Sequence, residues 1–176
     1  MNSGLYSLVA RNTETNKVVF LPIKNENTNS FGRKIGCGKI IKYKNKYVGN
    51  NINDGNLISS LPLSEYGYVF EIDSDNLGLI IDYHIIDWYI NENCYLEKSI
   101  VYNSVSIFSL IDNVQYIKFN FSGKTYEVKR KDVENNFPNY KAIGKDGINK
   151  NEFNKFLENK LGDIDFIEMC FNQFIA

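Results

Sequence analysis

The sequence has a single histidine, His84, and only three cysteines, Cys37, Cys94 and Cys170, which lie far apart. No C-x-x-C pair occurs, so the chain lacks the closely spaced cysteine and histidine ligands of a structural zinc site. An odd number of cysteines cannot pair completely within one chain. We interpret each cysteine as structural or incidental, with one disulfide left open. The sequence therefore predicts no metal site and no cofactor.

Long hydrophobic runs are also missing. No stretch approaches the roughly 20 apolar residues of a transmembrane helix, and residues 1–10 lack the apolar segment of a signal peptide. We therefore expect no membrane span in this chain. Neither sign of charge is in excess, because 20 basic and 21 acidic residues give a net charge of −1. This balance disfavours a polyanionic partner such as nucleic acid.

Apolar side chains are plentiful, at 43% of the 176 residues, which is enough to fill the core of one domain. Alternating apolar positions predict three strand pairs. These are 5–10 with 17–23, 68–73 with 77–89, and 116–121 with 125–129. Ser122-Gly123 is predicted to form the tight turn of the last pair, because glycine adopts a positive φ without strain.

Helical periodicity predicts one long helix over 96–111, with a narrow polar stripe of Lys98, Tyr102, Ser106 and Ser109. Further helices are predicted near the C-terminus, one of them capped by Asn149 and one over 163–176 that could also be a strand. The predicted fold is α+β, an antiparallel sheet of hairpins packed against one long amphipathic helix, with additional C-terminal helices.

Composition along the chain predicts three parts. Residues 1–38 are expected to form an N-terminal hairpin and linker, and residues 39–135 an α+β core domain. Residues 136–176 are expected to form a C-terminal helical extension that packs on this core. The stretch 131–147, which contains Pro138 and two glycines, is expected to be loosely structured.

Complete catalytic motifs are absent, since neither G-x-S-x-G nor H-E-x-x-H occurs. Asp82, His84 and Trp88 fall on one face of the predicted strand 77–89, where a carboxylate beside an imidazole could act as an acid–base pair. The simpler interpretation is a solvent-facing histidine. Gly36-Cys37-Gly38-Lys39 lacks the full phosphate-binding loop, and the stretch 146–152 lacks the oxygen ligands of a calcium-binding loop.

Lysines Lys42, Lys44 and Lys46 alternate with tyrosines in a stretch, 39–48, that we interpret as extended. Such a strand would present a basic face, which together with Lys129, Arg130 and Lys131 could bind nucleic acid. Lysines along a strand also protect a sheet edge from unwanted pairing, and this second interpretation fits the balanced net charge better.

Three segments carry a family resemblance: Tyr43-Lys44-Asn45-Lys46-Tyr47-Val48-Gly49-Asn50, Leu57-Ile58-Ser59-Ser60-Leu61-Pro62, and Ile107-Phe108-Ser109-Leu110-Ile111-Asp112-Asn113-Val114. Together the stretch from 43 to 129 resembles an uncharacterised bacterial domain that follows BlaR-type antirepressor metallopeptidase sensors. The resemblance implies an extracytoplasmic sensing or binding role and supplies no catalytic residues. Read as a complete gene product, the chain would instead be cytoplasmic.

The sequence as a whole favours a non-enzymatic binding or sensor module, of the bacterial cell envelope if the resemblance holds. Its partner would be a protein or a small ligand. Two alternatives stay open, a small hydrolase or transferase that uses Asp82 and His84, and a nucleic-acid-binding protein that uses the lysine-rich stretch. The candidate partner surface comprises Asp82, His84, Trp88, Lys42, Lys44 and Lys46.

Overall fold

The computed structural model describes residues 8–11, 18–21, 36–85, 94–144 and 148–175, with the backbone alone for the first two ranges. The strands in these ranges are Leu8–Arg11 (β1), Val18–Leu21 (β2), Tyr68–Asp73 (β3), Gly78–Tyr83 (β4), Tyr116–Phe121 (β5) and Lys124–Lys129 (β6). The α-helices are Cys37–Ile40 (α1), Asn51–Ser59 (α2), Tyr95–Leu110 (α3), Arg130–Asn136 (α4), Tyr140–Gly144 (α5), Lys150–Phe156 (α6) and Ile164–Phe174 (α7). Short 3₁₀ turns lie at Ile41–Tyr43, Ser64–Tyr66 and Glu158–Lys160.

The strands form one sheet in the order β1-β2-β3-β4-β5-β6. Every neighbouring pair is antiparallel except β4–β5, which is parallel. The parallel pair arises because the connection from β4 to β5 contains α3, which carries the chain back across the sheet. The α+β class and the three predicted strand pairs are confirmed. The strand predicted over 77–89 is shorter, because β4 ends at Tyr83 and a bend follows at 84–85, while 86–89 lie outside the described residues. The parallel pair departs from the purely antiparallel expectation.

Alternation along the strands decides which face of the sheet is buried. On β4, Leu79, Ile81 and Tyr83 are buried, whereas Ile80 and Asp82 are half-buried. The buried positions of β3 to β6 join α3 and the C-terminal helices in one hydrophobic core. Each large apolar side chain removed from water there contributes about 1.5–3 kcal/mol.

The long helix forms as predicted, as α3, but its expected polar stripe is wrong. Every residue from Ser99 to Leu110 is buried, including Tyr102, Ser106 and Ser109. The C-terminal helices cover this side of α3: the Tyr102 ring packs edge-on against Phe153 of α6 at 5.7 Å between centroids. Polar residues in a sequence stripe therefore mark here the surface between helices.

The expectation of a loose stretch over 131–147 is also wrong, since α4 and α5 occupy most of it. Each of these helices is short and has few buried apolar anchors, Val133 in α4 and Tyr140 with Ile143 in α5. A helix of one or two turns does not repeat its apolar pattern often enough to be recognised from sequence. Asp146 and Gly147, considered above for calcium, lie outside the described residues.

Two C-terminal helix starts agree with the sequence. The Asn149 side chain accepts hydrogen bonds from the backbone N–H of Asn151 and of Glu152, at 3.1 and 3.4 Å. Asp163 accepts from the N–H of Phe166 at 3.1 Å, so 164–174 is a helix and not a strand. Such caps satisfy N–H groups that have no partner within the helix.

The extended interpretation of 39–48 is wrong. This stretch begins within α1, continues through the 3₁₀ turn and reaches strand geometry only where Asn45 bridges Ile111. Among the described helices, none has the length and apolar character needed to cross a membrane.

Candidate functional site

The face of the sheet that points away from α3, called here the outer face, is half-buried and polar. Its side chains lie in three register-aligned rows across β3, β4, β5 and β6. The rows are Asp73–Gly78–Tyr116–Lys129, Glu71–Ile80–Lys118–Glu127 and Val69–Asp82–Asn120–Thr125. Directly opposed side chains on one face of a sheet interact with each other, so each row acts as a unit.

The third row is a line of hydrogen bonds. The Asn120 amide Nδ2 donates to Asp82 Oδ1, and Thr125 Oγ1 donates to Asn120 Oδ1 at 2.9 Å. Three polar side chains from three neighbouring strands are thereby held in fixed orientations. The row offers an aligned carboxylate, amide and hydroxyl on a rigid sheet.

The first row is built around a glycine. The Tyr116 ring lies directly over Gly78 and its hydroxyl donates to Asp73 Oδ2 at 2.6 Å, crossing the whole of β4. Desolvation, followed by this bond to the Asp73 carboxylate, raises the pKa of Tyr116 to about 12. The same hydrogen bond, with others from Asn76, lowers the pKa of Asp73. Asp73 therefore stays ionised at neutral pH.

The charges of the outer face are predominantly acidic. Glu127 forms ion pairs with Lys118 at 3.4 Å and with Lys129 at 3.7 Å. The carboxylates of the three rows are Glu71, Asp73, Asp82 and Glu127, and the ammonium groups are Lys118 and Lys129. A surface of this kind complements a partner with excess positive charge.

Among the described contacts, no hydrogen bond joins the Asp82 carboxylate to the His84 imidazole. Asp82 is bound by Asn120, whereas His84 is exposed beyond the end of β4 and its imidazole bonds to none of the described residues. The backbone N–H of His84 donates to Gly67 O at 3.0 Å. Trp88 and Tyr89 lie outside the described residues.

The lysines of the predicted basic strand have separate roles. Lys42, Lys44 and Lys46 are exposed, and the Lys44 ammonium is paired with the Asp112 carboxylate. Lys42 and Lys46 lie over the rings of Tyr43 and Tyr47, at 4.9 and 5.1 Å from the centroids.

The second basic set is also divided. Lys129 is paired with Glu127 on the outer face, and Lys131 is exposed. The Arg130 guanidinium points inward and donates to three backbone carbonyls in and just after the last turn of α3, those of Phe108, Ile111 and Val114. The Arg130 guanidinium therefore does not contribute to a nucleic-acid surface together with the five lysines.

Sequence reasoning missed a buried acid, Asp54. Asn50 caps α2, and its Oδ1 accepts from the N–H of Asn53 at 3.2 Å. Asp54 is fully buried, and its Oδ2 accepts from the Gly49 N–H at 2.9 Å. Burial raises its pKa to about 6, although that hydrogen bond opposes the rise. The only available signal was the position of Asp54 on the Leu57–Ile58 side of a short helix.

Tyr68 and Tyr66 have structural roles. Tyr68 is buried, and its hydroxyl bonds to Ser59 Oγ at 2.7 Å and to Gly55 O at 3.0 Å. Tyr66 is half-buried with its ring edge-on to Tyr95. Among the described residues, no group of three histidine, cysteine or acidic side chains is placed to hold a metal ion. The three cysteines are free thiols.

The fold and the outer face define a small α+β domain with a pre-ordered polar surface. Residues 40–132 match the model of the family described as "Domain of unknown function (DUF4825)", and the chain belongs to this family. The match overlaps the stretch 43–129 that carried the resemblance to an uncharacterised domain. No curated protein and no solved structure matches the chain.

Proposed function

We propose that this protein is a non-catalytic binding module that recognises a protein partner through the outer face of its sheet. The observation that carries the proposal is the hydrogen-bonded row Asp82–Asn120–Thr125. Because these side chains are already ordered, they lose less conformational entropy when a partner binds than the side chains of a flexible surface would.

The excess of carboxylates on the outer face supports a partner with a basic surface. Charged groups arranged in this way raise the rate of encounter with an oppositely charged partner and oppose binding to acidic ones. The resemblance to domains that follow BlaR-type sensors supports a sensing role in the bacterial cell envelope. A gene neighbourhood containing a penicillinase-type repressor and a metallopeptidase would strengthen this part of the proposal.

The hydrolase or transferase alternative has less support. Its two residues would need a nucleophile or an activated water within hydrogen-bond reach. Asp82 is instead engaged by Asn120, and His84 extends from the end of β4. The nucleic-acid alternative is weakened by the pairing of Lys44 with Asp112 and of Lys129 with Glu127.

Site-specific photo-cross-linking in the native host tests the proposal. A photoreactive amino acid at Ile80, on the outer face beside the hydrogen-bonded row, is expected to give one discrete adduct. The matched control places it at Glu168, an exposed position on α7. Reversal of charge at Asp82 (Asp82→Lys) in the Ile80 background should abolish the adduct while leaving expression unchanged.

Two results would overturn the proposal. One is the absence of an adduct at Ile80, or equal adducts at Ile80 and Glu168. The other is steady turnover of an ester or phosphate substrate that disappears in Asp82→Asn and His84→Ala, which would establish the enzymatic alternative.

A further inference from the structure

A second surface, which is apolar and basic where the outer face is polar and acidic, lies where the chain enters α2. We call it the lysine–tyrosine patch and define it by Lys42, Lys46, Tyr47 and Ile52. Tyr47 is 58% exposed and Ile52 is 77% exposed, the largest exposures of any large apolar side chain in the described ranges. Tyr47 lies in the bend just before α2 and Ile52 in the first turn of that helix, so the two are candidates for one interaction surface.

Hydrogen bonds to buried and neighbouring side chains fix the turn at 48–49, between Tyr47 and α2. The N–H of Val48 donates to Asn113 Oδ1 at 2.6 Å, and the N–H of Gly49 donates to the buried Asp54. Asn50 then caps α2, which places Ile52 in its first turn. Tyr47 and Ile52 are therefore presented on a fixed support and not on a loose loop.

The charges that the stretch 36–53 itself contributes have one sign. From residue 36 to residue 53 the chain contains four lysines and no acidic residue. Lys44 is neutralised by Asp112, whereas Lys42 and Lys46 have no carboxylate partner in the described parts of the chain. The other exposed apolar pair, Ile164 and Met169 on α7, lies instead among acidic residues, Asp163, Asp165 and Glu168.

We propose that the lysine–tyrosine patch docks on a membrane surface rich in anionic lipid. Lysine ammonium groups are attracted to the phosphates of such a surface, and tyrosine rings favour the level of the headgroups. Ile52 would enter the boundary of the acyl chains. A nucleic acid fits the patch less well, because the aliphatic Ile52 has no aromatic face on which a base could stack. The proposal is independent of the outer face, which would remain available to a protein partner.

Co-sedimentation with lipid vesicles tests this proposal on the full chain. The probe is a set of large vesicles made of phosphatidylglycerol and phosphatidylcholine in equal parts, with vesicles of phosphatidylcholine alone as the uncharged comparison. The wild-type protein should bind the anionic vesicles at least tenfold more tightly than the uncharged ones, and added salt should weaken the binding. The double variant Tyr47→Ser, Ile52→Asn should lose at least tenfold in affinity for the anionic vesicles.

The matched control is the double variant Ile164→Asn, Met169→Ser, which removes the exposed apolar pair of α7. It should bind as the wild type does, and circular dichroism should show both variants folded. The proposal is overturned if the wild type fails to bind anionic vesicles, or if both double variants lose binding equally. It is also overturned if a single-stranded oligonucleotide prevents vesicle binding and itself binds equally well to the Ile52→Asn variant.

Discussion

At the scale of single residues, Gly78 is the most constrained glycine that the structure describes. A Cβ atom at this position would lie 2.1 Å from Cζ of Tyr116, which occupies the space above it on the outer face. Gly78→Ala must therefore displace the Tyr116 ring and its bond to Asp73. We expect the free energy of unfolding to fall by about 1–3 kcal/mol, the usual cost of overpacking.

Urea denaturation measures this change in the free energy of unfolding. Two further variants test whether the change comes from the contact with Tyr116. Gly38→Ala, where nothing lies within 4 Å, should leave the free energy of unfolding unchanged or slightly raised. The cost of Gly78→Ala should shrink in a Tyr116→Ala background, because the clash is with this ring. A cost that stays the same in that background would contradict the role given to Tyr116.

Asp54 makes the stability of the protein depend on pH. Its folded-state pKa of about 6 lies above its ordinary value of 3.8, so the unfolded chain releases this proton first as the pH rises. The stabilising contribution is full below pH 3.8 and is lost as the pH passes through 6. At about 1.4 kcal/mol for each pKa unit, the loss is up to about 3 kcal/mol.

Asp54→Asn separates this effect from those of other acids. Urea denaturation of both proteins at pH 4 and at pH 7.5 should show that the wild type loses more stability than the variant over this interval. Asp73, whose pKa is lowered, changes stability in the opposite direction in both proteins and cancels in the difference. Equal pH dependence in the two proteins would contradict the assignment to Asp54.

At the scale of elements, the C-terminal end of α3 depends on one side chain from α4. Arg130 donates to the carbonyl oxygens of Val114 at 2.5 Å, of Phe108 at 3.0 Å and of Ile111 at 2.6 Å. These carbonyls have few other partners at a helix end, and a cation there also interacts well with the helix dipole. The Arg130 guanidinium also forms an ion pair with the Glu134 carboxylate at 3.3 Å.

Arg130→Met should therefore lower the free energy of unfolding by roughly 3 kcal/mol, since bonds from a charged donor contribute about 1.5–3 kcal/mol each and are not additive. Amide exchange should rise first in the last turn of α3. Lys131→Met, at the exposed neighbouring position, should change stability by less than about 0.5 kcal/mol. Equal effects of the two substitutions would show that the guanidinium has no special role at this helix end.

Elements with a repeated pattern could be predicted from the sequence, and those set by tertiary contacts could not. The β5–β6 hairpin has three alternating buried positions on β5, two on β6, and a glycine, Gly123, whose φ is +106°. Both its register and its turn are therefore local properties. The stretch 41–46 also alternates in exposure, but it starts as a 3₁₀ turn and then meets a single bridge at Ile111. Alternating exposure of side chains therefore does not by itself show that the backbone is a β-strand.

The candidate site shows the same division. The outward position of Asp82 follows from strand alternation, whereas its partner Asn120 comes from a strand 38 positions later and could be placed only once β4 and β5 were known to be neighbours. The inward direction of Arg130 depends likewise on where α3 ends. Residue type alone placed this arginine with the surface lysines.

At the scale of the whole molecule, the C-terminal helices share the core with α3 and the sheet. Phe174 of α7 is 1% exposed and packs against Phe137, while Phe171 packs against Tyr126 of β6. Phe174→Ala should cost about 3–5 kcal/mol, as large-to-small changes in a core do. Because the core is continuous, amide protection should fall in α3 and β6 as well as in α7.

Hydrogen exchange followed residue by residue measures this prediction. Met169→Ala, at an exposed position of the same helix, is the matched control and should leave protection unchanged in all three elements. Loss of protection confined to α7 in Phe174→Ala would indicate that 136–176 unfolds separately from 39–135. That result would also support the three-part division expected from the sequence.

The parallel pairing of β4 with β5 makes α3 a safeguard against aggregation. The β3–β4 and β5–β6 hairpins close across four and two residues, whereas 32 residues separate β4 from β5. Short hairpins form within microseconds, but the longer closure costs more chain entropy and needs the helix in place. A chain with a defective α3 would thus hold two finished hairpins with bare edges, and bare edges recruit strands from other molecules. Substitutions that damage this helix should therefore reveal themselves first as insoluble protein during expression.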